Sequence, residues 1–208
     1  AERLRPKGPE EFCGQEHLVG ENAVLRKVIE SGNIPSFILW GPPGVGKTTL
    51  AGIIAKTLKR SFFNLSAVHS GVKDIRETIE KAKKQQFFGQ PNPVLFIDEI
   101  HRFSKSQQDS LLGAVEKGII TLIGATTENP SFEVISALLS RAKVYALRAL
   151  TPEEIVALLK RGLDALNLRA TPELLDQIAI HANGDARAAY NVLELAVAAS
   201  ESGEISAQ

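Results

Sequence analysis

The sequence predicts an α/β fold in which a five-stranded parallel sheet flanked by helices is followed by a small all-helical domain. Five short runs between residues 34 and 147 are continuously apolar, as is typical of strands covered on both faces of a parallel sheet. They read IPSFILW, SFFNLS, VLFIDE, IITLIGAT and AKVYAL. Helix-like segments such as DIRETIEKAKK (74–84) and KSQQDSLLGAVEKG (105–118) separate them. This alternation indicates βαβ units and a doubly wound sheet.

The pattern changes at Thr151, where helices begin to follow one another without strands. In TPEEIVALLKRGLDAL, Thr151 has the chemistry of an N-cap, Pro152 suits the first turn and Glu154 closes a capping box. We therefore place an α/β domain at residues 1–150 and a helical domain at residues 151–208.

Two more helices complete the predicted helical domain. The segment TPELLDQIAIHANG begins in the same way and stops at Asn183-Gly184, a helix-end signal. The last helix is DARAAYNVLELAVAAS, with Asp185 as its N-cap.

The composition is that of an ordinary globular protein. The 208 residues are 44% hydrophobic and 23% charged, and the formal net charge is zero. Any nucleic-acid contact must therefore come from a local basic patch. The lone Cys13 excludes an internal disulfide and indicates a reducing compartment, and no apolar run approaches the roughly 18 residues that span a bilayer. We expect a cytoplasmic protein without a membrane partner.

The chain lacks methionine, and ESGEISAQ follows the last helical run abruptly. We expect a fragment of a longer protein.

The stretch GPPGVGKT, after the first apolar run, fits the phosphate-loop pattern G-x-x-x-x-G-K-[ST]. Glycines let backbone N–H groups turn around an anion, and the next helix adds its positive end. We expect Lys47 to reach the terminal phosphates and the Thr48 hydroxyl to coordinate Mg²⁺. The alternative is a Gly/Pro turn that matches by chance. The residues assigned to ATP here are Gly41, Pro42, Pro43, Gly44, Val45, Gly46, Lys47, Thr48 and Thr49.

Two acids end the third apolar run, VLFIDEI (94–100). Asp98 is placed to hold Mg²⁺ through its water shell, and Glu99 to polarise a water for attack on the γ-phosphate. Neighbouring strand residues face opposite sides, so the two acids need a turn to act on one ligand. Acids at a strand end are otherwise often merely solvated. A kinase would not need Glu99 there, which favours hydrolysis.

The fourth apolar run ends in GATTENP. Thr126, Thr127 and Asn129 follow a strand at the edge where open α/β sheets bind ligands. They could donate to the γ-phosphate or fix the attacking water. For Thr127 and Asn129 taken alone, a polar turn before Pro130 is nearly as good an interpretation.

Longer runs carry a family resemblance over essentially the whole chain. They read LRPKGPEEFCGQEHLVG, ILWGPPGVGKTTLA, LSAVHSGVKDIRETIEKAK, LFIDEIHRFSKSQQDSLL, ITLIGATTENPSFEVISALLSRAKVY and NGDARAAYNVLELA. The chain resembles AAA+ ATPases, and within them the replication-associated recombination protein A family (RarA or MgsA), whose eukaryotic relative is the Werner helicase-interacting protein. Ser104, where asparagine is expected, and Val45, where threonine is commoner, are mild departures.

The resemblance implies further roles near the terminal phosphate. It implies that the GATT strand lies between the phosphate-loop strand and the acid-pair strand, which makes Thr126 the first sensor. It implies that Arg141 is an arginine finger for the neighbouring subunit and that Arg187 is the second sensor, on a helical lid. From the residues alone, Arg141 could simply cap the helix SALLS or lie in solvent, and Arg187 could be an ordinary surface residue.

The resemblance also implies contacts outside the phosphate loop. Arg5, Pro6, Gly14 and Gln15 match a segment that packs near adenine in similar proteins. Ser66 matches a polar residue that restrains the catalytic glutamate in related enzymes.

Function follows from the same resemblance. It implies a Mg²⁺-dependent ATPase that remodels DNA or protein at stalled replication forks, in recombination and in repair. The implied partners are single-stranded or forked DNA, replication and repair proteins, and further copies of the chain, as a tetramer in the full-length protein, in the bacterial nucleoid. The alternatives are an ATP-gated interaction module, a clamp-loader subunit and a branch-migration motor.

Basic residues offer candidate DNA contacts if subunits form a ring. Lys73 and Lys105 are the assigned contacts, with Arg76 and Arg102 beside them. A solvated charged face is the alternative, and KAKK (81–84) is best explained that way. The histidines show no metal-ligand spacing, so no zinc site is predicted.

Overall fold

The five apolar runs form one parallel sheet in the computed structural model, which describes residues 6, 8–199 and 204–205. The strands are β1 (Phe37–Trp40), β2 (Phe62–Ser66), β3 (Val94–Asp98), β4 (Thr121–Thr126) and β5 (Lys143–Ala146). Every neighbouring pair is parallel, in the order β2-β3-β4-β1-β5. The predicted five-stranded parallel sheet is confirmed, as is the place of the GATT strand between the phosphate-loop strand and the acid-pair strand.

Helices fill the intervals between these strands. They are α1 (Glu16–Val19), α2 (Val24–Glu30), α3 (Lys47–Thr57), α4 (Val72–Phe87), α5 (Lys105–Glu116), α6 (Pro130–Glu133) and α7 (Ser136–Leu139). Short 3-10 turns cover Pro9–Glu11 and Ile100–Arg102. Helix α4 is longer than the predicted 74–84, because the Asp74 carboxylate accepts a 2.7 Å hydrogen bond from the Gly71 N–H and starts the helix earlier.

Burial differs between the central and the edge strands. Side chains of β1, β3 and β4 are almost all buried, as expected for strands covered on both faces. The expectation is wrong for β2 and β5, which alternate or are mostly exposed. Each of these edge strands has one neighbour instead of two, and Phe62 on β2 remains 36% exposed.

The strand order creates a switch point at the carboxyl edge of the sheet. The connections that leave the neighbouring strands β1 and β4 run to opposite edges of the sheet, to β2 and to β5. The ends of β1 and β4 lie level because Trp40 pairs with Thr126. The Gly41 N–H then donates to the Thr126 carbonyl at 3.1 Å. Ligands of open α/β sheets bind outside such a switch point.

Contacts divide the chain into two compact units. The sheet unit comprises Glu16–Gly41 and Lys47–Leu147; the helical unit comprises Pro42–Gly46, the described residues up to Gln15, and those from Arg148 onward. The predicted domain boundary between residues 150 and 151 stays a prediction.

Three helices dominate the helical unit: α8 (Pro152–Leu166), α9 (Pro172–Ala182) and α10 (Ala186–Ala199), with a small parallel pair β6 (Arg169–Ala170) and β7 (Glu204–Ile205). The predicted capping box is confirmed: Thr151 Oγ1 accepts from the Glu154 N–H at 3.2 Å, and Glu154 Oε2 accepts from the Thr151 N–H at 2.8 Å. Asn183 ends α9 with a left-handed backbone, and Asp185 caps α10.

Each unit has its own apolar core. In the sheet unit the core includes Ile38, Leu95, Ile97, Leu111 and Leu122; in the helical unit it includes Leu159, Leu163, Leu175, Ile178 and Leu193. Among the described residues, no helix is both long enough and apolar enough to cross a bilayer.

Candidate functional site

The loop between β1 and α3 has the backbone conformation that a phosphate cradle requires. Gly44 and Gly46 have φ values of 69° and 95°, in the left-handed region that disfavours a side chain. In the helical unit, a Cβ on Gly44 would overlap the Asp185 carboxylate, and one on Gly46 would lie 2.9 Å from the Phe12 ring. Both positions therefore need glycine for two independent reasons.

The remaining loop residues differ in how far their side chains are exposed to solvent. Val45 is buried, Pro42 and Pro43 are exposed, and Thr48 and Thr49 are half-buried in the first turn of α3. The Gly44 carbonyl accepts a 3.1 Å hydrogen bond from the Ala186 N–H at the start of α10.

Lys47 begins α3 and is 8% exposed. Its ammonium group donates a 2.8 Å hydrogen bond to the carbonyl of Gly41, at the start of the loop. A buried ammonium group at a helix N-terminus supplies positive charge beside backbone N–H groups, which together suit an anion.

The acid pair lies at the end of β3, where the chain turns. Glu99 has a left-handed backbone (φ 54°, ψ 45°), and its N–H donates to Asp98 Oδ1 at 3.1 Å. The strand alternation that would send the two acids to opposite faces therefore ends at Asp98. Both side chains are half-buried. The sequence does not predict this turn, because glutamate rarely adopts a left-handed backbone.

Thr126 is fully buried at the end of β4. Its hydroxyl lies 2.9 Å from His101 Nδ1 and 3.2 Å from the Glu128 carbonyl, and it accepts from the Glu128 N–H at 3.0 Å. His101 Nε2 in turn lies 3.4 Å from Glu99 Oε2. The spacing of the histidines in the sequence bears only on metal binding, and it does not predict this contact.

Other predicted residues of the sheet unit have structural partners. Ser66, the residue predicted to restrain Glu99, pairs with Asp98 in the sheet register. Within the described residues, the side chain that lies beside the Glu99 carboxylate is His101. Asn129 caps α6 by accepting from the Ser131 N–H at 3.0 Å, which is the polar-turn alternative. Thr127 is half-buried in the same turn.

Arg141 is exposed and is held by its own chain. Its guanidinium donates to the Ala137 carbonyl and to Ser140 Oγ, both at 2.8 Å, and lies 2.5 Å from Glu116 Oε1. The helix-capping alternative thus describes its position in the single chain, while the finger role stays a prediction.

The segment before Arg141 is fixed by a glutamine that sequence reasoning did not single out. Gln108 is 1% exposed; its amide donates to the carbonyls of Phe103 and Glu133 at 3.1 and 3.0 Å and accepts from the Ile135 N–H at 2.9 Å. Ser104 caps α5 by accepting from the Gln107 N–H, a role that asparagine could fill equally well.

In the helical unit, one of the predicted adenine-contact residues already uses its side-chain amide in hydrogen bonds. Gln15 is 4% exposed, and its amide both donates to the Arg148 carbonyl at 2.7 Å and accepts from the Arg148 N–H at 2.9 Å. Gly14 is buried with φ 78°, and Pro6 is half-buried. Arg5 lies outside the described residues.

Arg187 is exposed in the first turn of α10, where its backbone N–H donates to Asp185 Oδ1 at 2.8 Å. The predicted DNA contacts are also exposed: Lys73 lies 3.8 Å from Glu77 on α4, and Lys105 begins α5. Their roles stay predictions.

The donor set at the sheet edge fits a nucleotide-bound Mg²⁺ rather than a metal held by protein alone. Among the described residues, no group of three or more histidines, cysteines and acids converges on one point. The Thr48 hydroxyl and the Asp98 carboxylate offer the hard oxygen ligands that Mg²⁺ prefers, and this ion commonly takes only one or two protein oxygens beside phosphate and water.

Comparisons with known proteins agree on one family. Residues 37–148 match the model of the ATPase family associated with various cellular activities (AAA). The chain is 50% identical over 204 residues to the replication-associated recombination protein A of Haemophilus influenzae, covering 95% of this chain and 46% of that protein. It is 50% identical over 207 residues to the ATPase WRNIP1 of Dictyostelium discoideum, covering 97% of this chain and 24% of that protein. The chain thus spans about half the length of its bacterial relative.

A solved structure shares the fold. The RuvB Holliday junction branch migration motor of Thermotoga maritima superposes with a TM-score of 0.81 at 30% identity, over 97% of this chain and 69% of that one.

Proposed function

The chain belongs to the AAA family of ATPases and, within it, to the branch of the replication-associated recombination protein A, and on this premise we propose a Mg²⁺-dependent ATPase that acts as an oligomer at replication forks. One observation carries the proposal. The left-handed turn at Glu99 frees this acid from the strand alternation, at the same sheet edge where Lys47 begins α3 and Thr126 ends β4.

In this proposal, the loop from Gly41 to Thr49 binds the phosphates of ATP through backbone N–H groups and the Lys47 ammonium group. The positive φ values of Gly44 and Gly46 support this, because a cradle lined by Cβ atoms would hold its N–H groups away from an anion. Thr48 and Asp98 would hold Mg²⁺, which supplies neutralisation of the phosphate charge when it is bound.

Glu99 is the proposed general base. Its carboxylate accepts a proton from a water molecule as the water oxygen attacks the γ-phosphorus, and the bond to the ADP oxygen breaks. Lys47 exchanges its hydrogen bond with the Gly41 carbonyl for the terminal phosphates. The Thr126 hydroxyl donates a hydrogen bond to a γ-phosphate oxygen, as the first sensor.

Arginines complete the proposed machinery. Arg141 serves the nucleotide of a neighbouring subunit, and to do so it must exchange Glu116 and the Ala137 carbonyl for phosphate oxygens. Arg187 acts as second sensor on the helical lid. The adenine lies against the segment that contains Arg5, Pro6, Gly14 and Gln15, where Gln15 contributes packing because Arg148 already uses its amide.

The proposed target is single-stranded or forked DNA, with replication and repair proteins as partners, in a cytoplasmic, nucleoid-associated tetramer. The names of the relatives support it, since one is associated with replication and recombination and another is a branch migration motor. Lys73 and Lys105 are the proposed contacts because both are exposed.

Steady-state ATP hydrolysis tests the catalytic assignment. We expect Glu99→Gln to lower kcat by about 100-fold or more, the contribution of a positioned general base, while ATP binding persists. Glu173→Gln, on the exposed surface of α9, is the matched control and should leave the rate unchanged. A Glu99→Gln chain that hydrolyses ATP at the parental rate would disprove the role of Glu99.

A branch-migration motor is the second candidate, favoured by the structural likeness to RuvB. Stimulation of the ATPase separates the two. Forked or gapped DNA should stimulate the proposed fork-associated enzyme more than a four-way junction, and the reverse order would favour the motor.

A further inference from the structure

His101 touches two residues of the proposed catalytic site with its two ring nitrogens. Nδ1 lies 2.9 Å from the Thr126 hydroxyl, and Nε2 lies 3.4 Å from the Glu99 carboxylate. The imidazole is 11% exposed, in the 3-10 turn directly after Glu99. All three residues belong to the sheet unit. The ring is thus a direct link between the proposed phosphate sensor and the proposed general base.

Hydrogen-bond capacity decides which nitrogen carries the proton. The Thr126 hydroxyl has one proton, and its oxygen already accepts from the Glu128 N–H. It can donate either to His101 Nδ1 at 2.9 Å or to the Glu128 carbonyl at 3.2 Å, and the first is the shorter contact. With Nδ1 as acceptor, a neutral imidazole carries its proton on Nε2, the nitrogen that faces the Glu99 carboxylate.

The opposite arrangement is unfavourable. If Nδ1 carried the proton of a neutral ring, the lone pair of Nε2 would face the negative charge of Glu99 across 3.4 Å. With Thr126 O–H donating to Nδ1 and Nε2–H facing the Glu99 carboxylate, each ring nitrogen faces a group of complementary polarity. A movement of about 0.5 Å would bring the last contact to ordinary hydrogen-bond length.

We propose that His101 is a positioning residue that couples Thr126 to Glu99, so that the orientation of the base depends on what the Thr126 hydroxyl binds. This inference rests on the proposed function and deepens it. When the hydroxyl donates to a γ-phosphate, Nδ1 loses its proton donor and the Nε2–H contact with Glu99 changes with it. ADP, which lacks that phosphate, leaves the link as it is in the free chain.

The first test is NMR of the four histidines in a chain labelled with ¹⁵N-histidine, with the His101 signals assigned by their loss in His101→Gln. In the free chain we expect Nδ1 without a proton and Nε2 with one. A non-hydrolysable ATP analogue with Mg²⁺ should shift the Nδ1 signal, and Mg·ADP should leave it in place. A proton on Nδ1 in the free chain, or equal shifts with both nucleotides, would overturn the proposal.

The second test separates the two ends of the ring by kinetics. An Asn side chain places its amide near Nδ1 and a Gln side chain near Nε2, so His101→Gln keeps the contact with Glu99 and His101→Asn keeps the one with Thr126. We expect His101→Ala and His101→Asn to lower kcat about tenfold, part of what a positioned base contributes, with KM changed less than about twofold. His101→Gln should retain most of kcat.

His181→Ala, at an exposed histidine of α9, is the control and should match the parental chain. Equal kcat values for the Gln and Asn variants, or a loss confined to KM, would overturn the coupling. If calorimetry shows that the chain binds no nucleotide, the proposed function fails, while the protonation of His101 in the free chain still decides whether the link exists.

Discussion

A left-handed backbone at Glu99 is the single-residue feature on which the proposed chemistry depends most. The sequence shows two acids at the end of a strand, and alternation alone would send them to opposite faces of the sheet. The turn at φ 54° removes that constraint directly after Asp98. Non-glycine residues in this region cost roughly 1 kcal/mol or more and are often found at functional sites.

Gly44 is the second residue whose backbone conformation matters, and it allows a quantitative test. Gly44→Ala should lower the thermal midpoint, because alanine is strained at φ 69° and its Cβ overlaps the Asp185 carboxylate. We expect a loss of about 1–3 kcal/mol in the free energy of unfolding.

A double-mutant cycle with Asp185→Ala separates the two causes. The second change removes the overlap but not the φ strain, so the double variant should be more stable than the sum of the single losses implies. Strict additivity would contradict the contact between Gly44 and Asp185.

At the scale of elements, β5 and α10 carry the two tyrosines in contrasting environments. The Tyr145 hydroxyl is buried without a hydrogen-bond partner among the described residues, and its ring packs edge-on against Phe37 at 5.4 Å. The Tyr190 hydroxyl donates to the Leu158 carbonyl at 3.0 Å. The same Tyr→Phe substitution should therefore destabilise the chain in α10 but not in β5.

Urea denaturation of the Tyr145→Phe and Tyr190→Phe chains compares these environments directly. Tyr145→Phe should leave the free energy of unfolding unchanged or raise it by up to about 1 kcal/mol, because it removes an unsatisfied polar group. Tyr190→Phe should lower it by about 1 kcal/mol, because the hydrogen bond from its hydroxyl to the Leu158 carbonyl is lost. A larger loss for Tyr145→Phe than for Tyr190→Phe would contradict this account.

The two tyrosines also predict an alkaline limit to stability. Burial raises the pKa of both phenols above its ordinary value. The folded chain therefore retains these protons at a pH where the unfolded chain has begun to release them, and stability should fall as the pH rises above about 10. Tyr145→Phe should reduce that fall.

Sequence patterns predicted the elements well because their signals are local. Apolar runs marked the five strands, and Thr151 with Glu154 marked a helix start that the capping box confirms. The exposure of β2 and β5 was not predictable from their own residues, since it depends on strand order. The contacts of His101 with Thr126 and of Gln108 with Glu133 join residues 25 positions apart, for which sequence offers no local signal.

At the scale of the whole molecule, the proposed site is complete only in an assembly, because the role proposed for Arg141 is at the nucleotide of a neighbouring subunit. Within the single chain its guanidinium is engaged by Glu116 and by the Ala137 carbonyl. The oligomer stays a proposal, because the chain spans about half the length of its bacterial relative.

Mixing two inactive variants tests the finger in trans. Arg141→Ala lacks the finger but keeps its base, and Glu99→Gln lacks the base but keeps its finger. We expect each alone to bind ATP with little turnover, and an equal mixture to recover activity at about a quarter of the interfaces, where an intact base meets an intact finger. No recovery in the mixture, or loss of ATP binding in Arg141→Ala, would contradict a finger supplied by the neighbour.

The central claim is that the loop containing Lys47 binds the phosphates of ATP. Calorimetric titration of Mg·ATP into the Glu99→Gln chain and into the Lys47→Ala chain tests it most directly, because binding is then measured separately from turnover. The account predicts saturable binding to the Glu99→Gln chain and an affinity at least about tenfold weaker for the Lys47→Ala chain, which lacks the charged donor to the phosphates. Equal affinity in the two chains, or no heat on adding Mg·ATP to either, would contradict it.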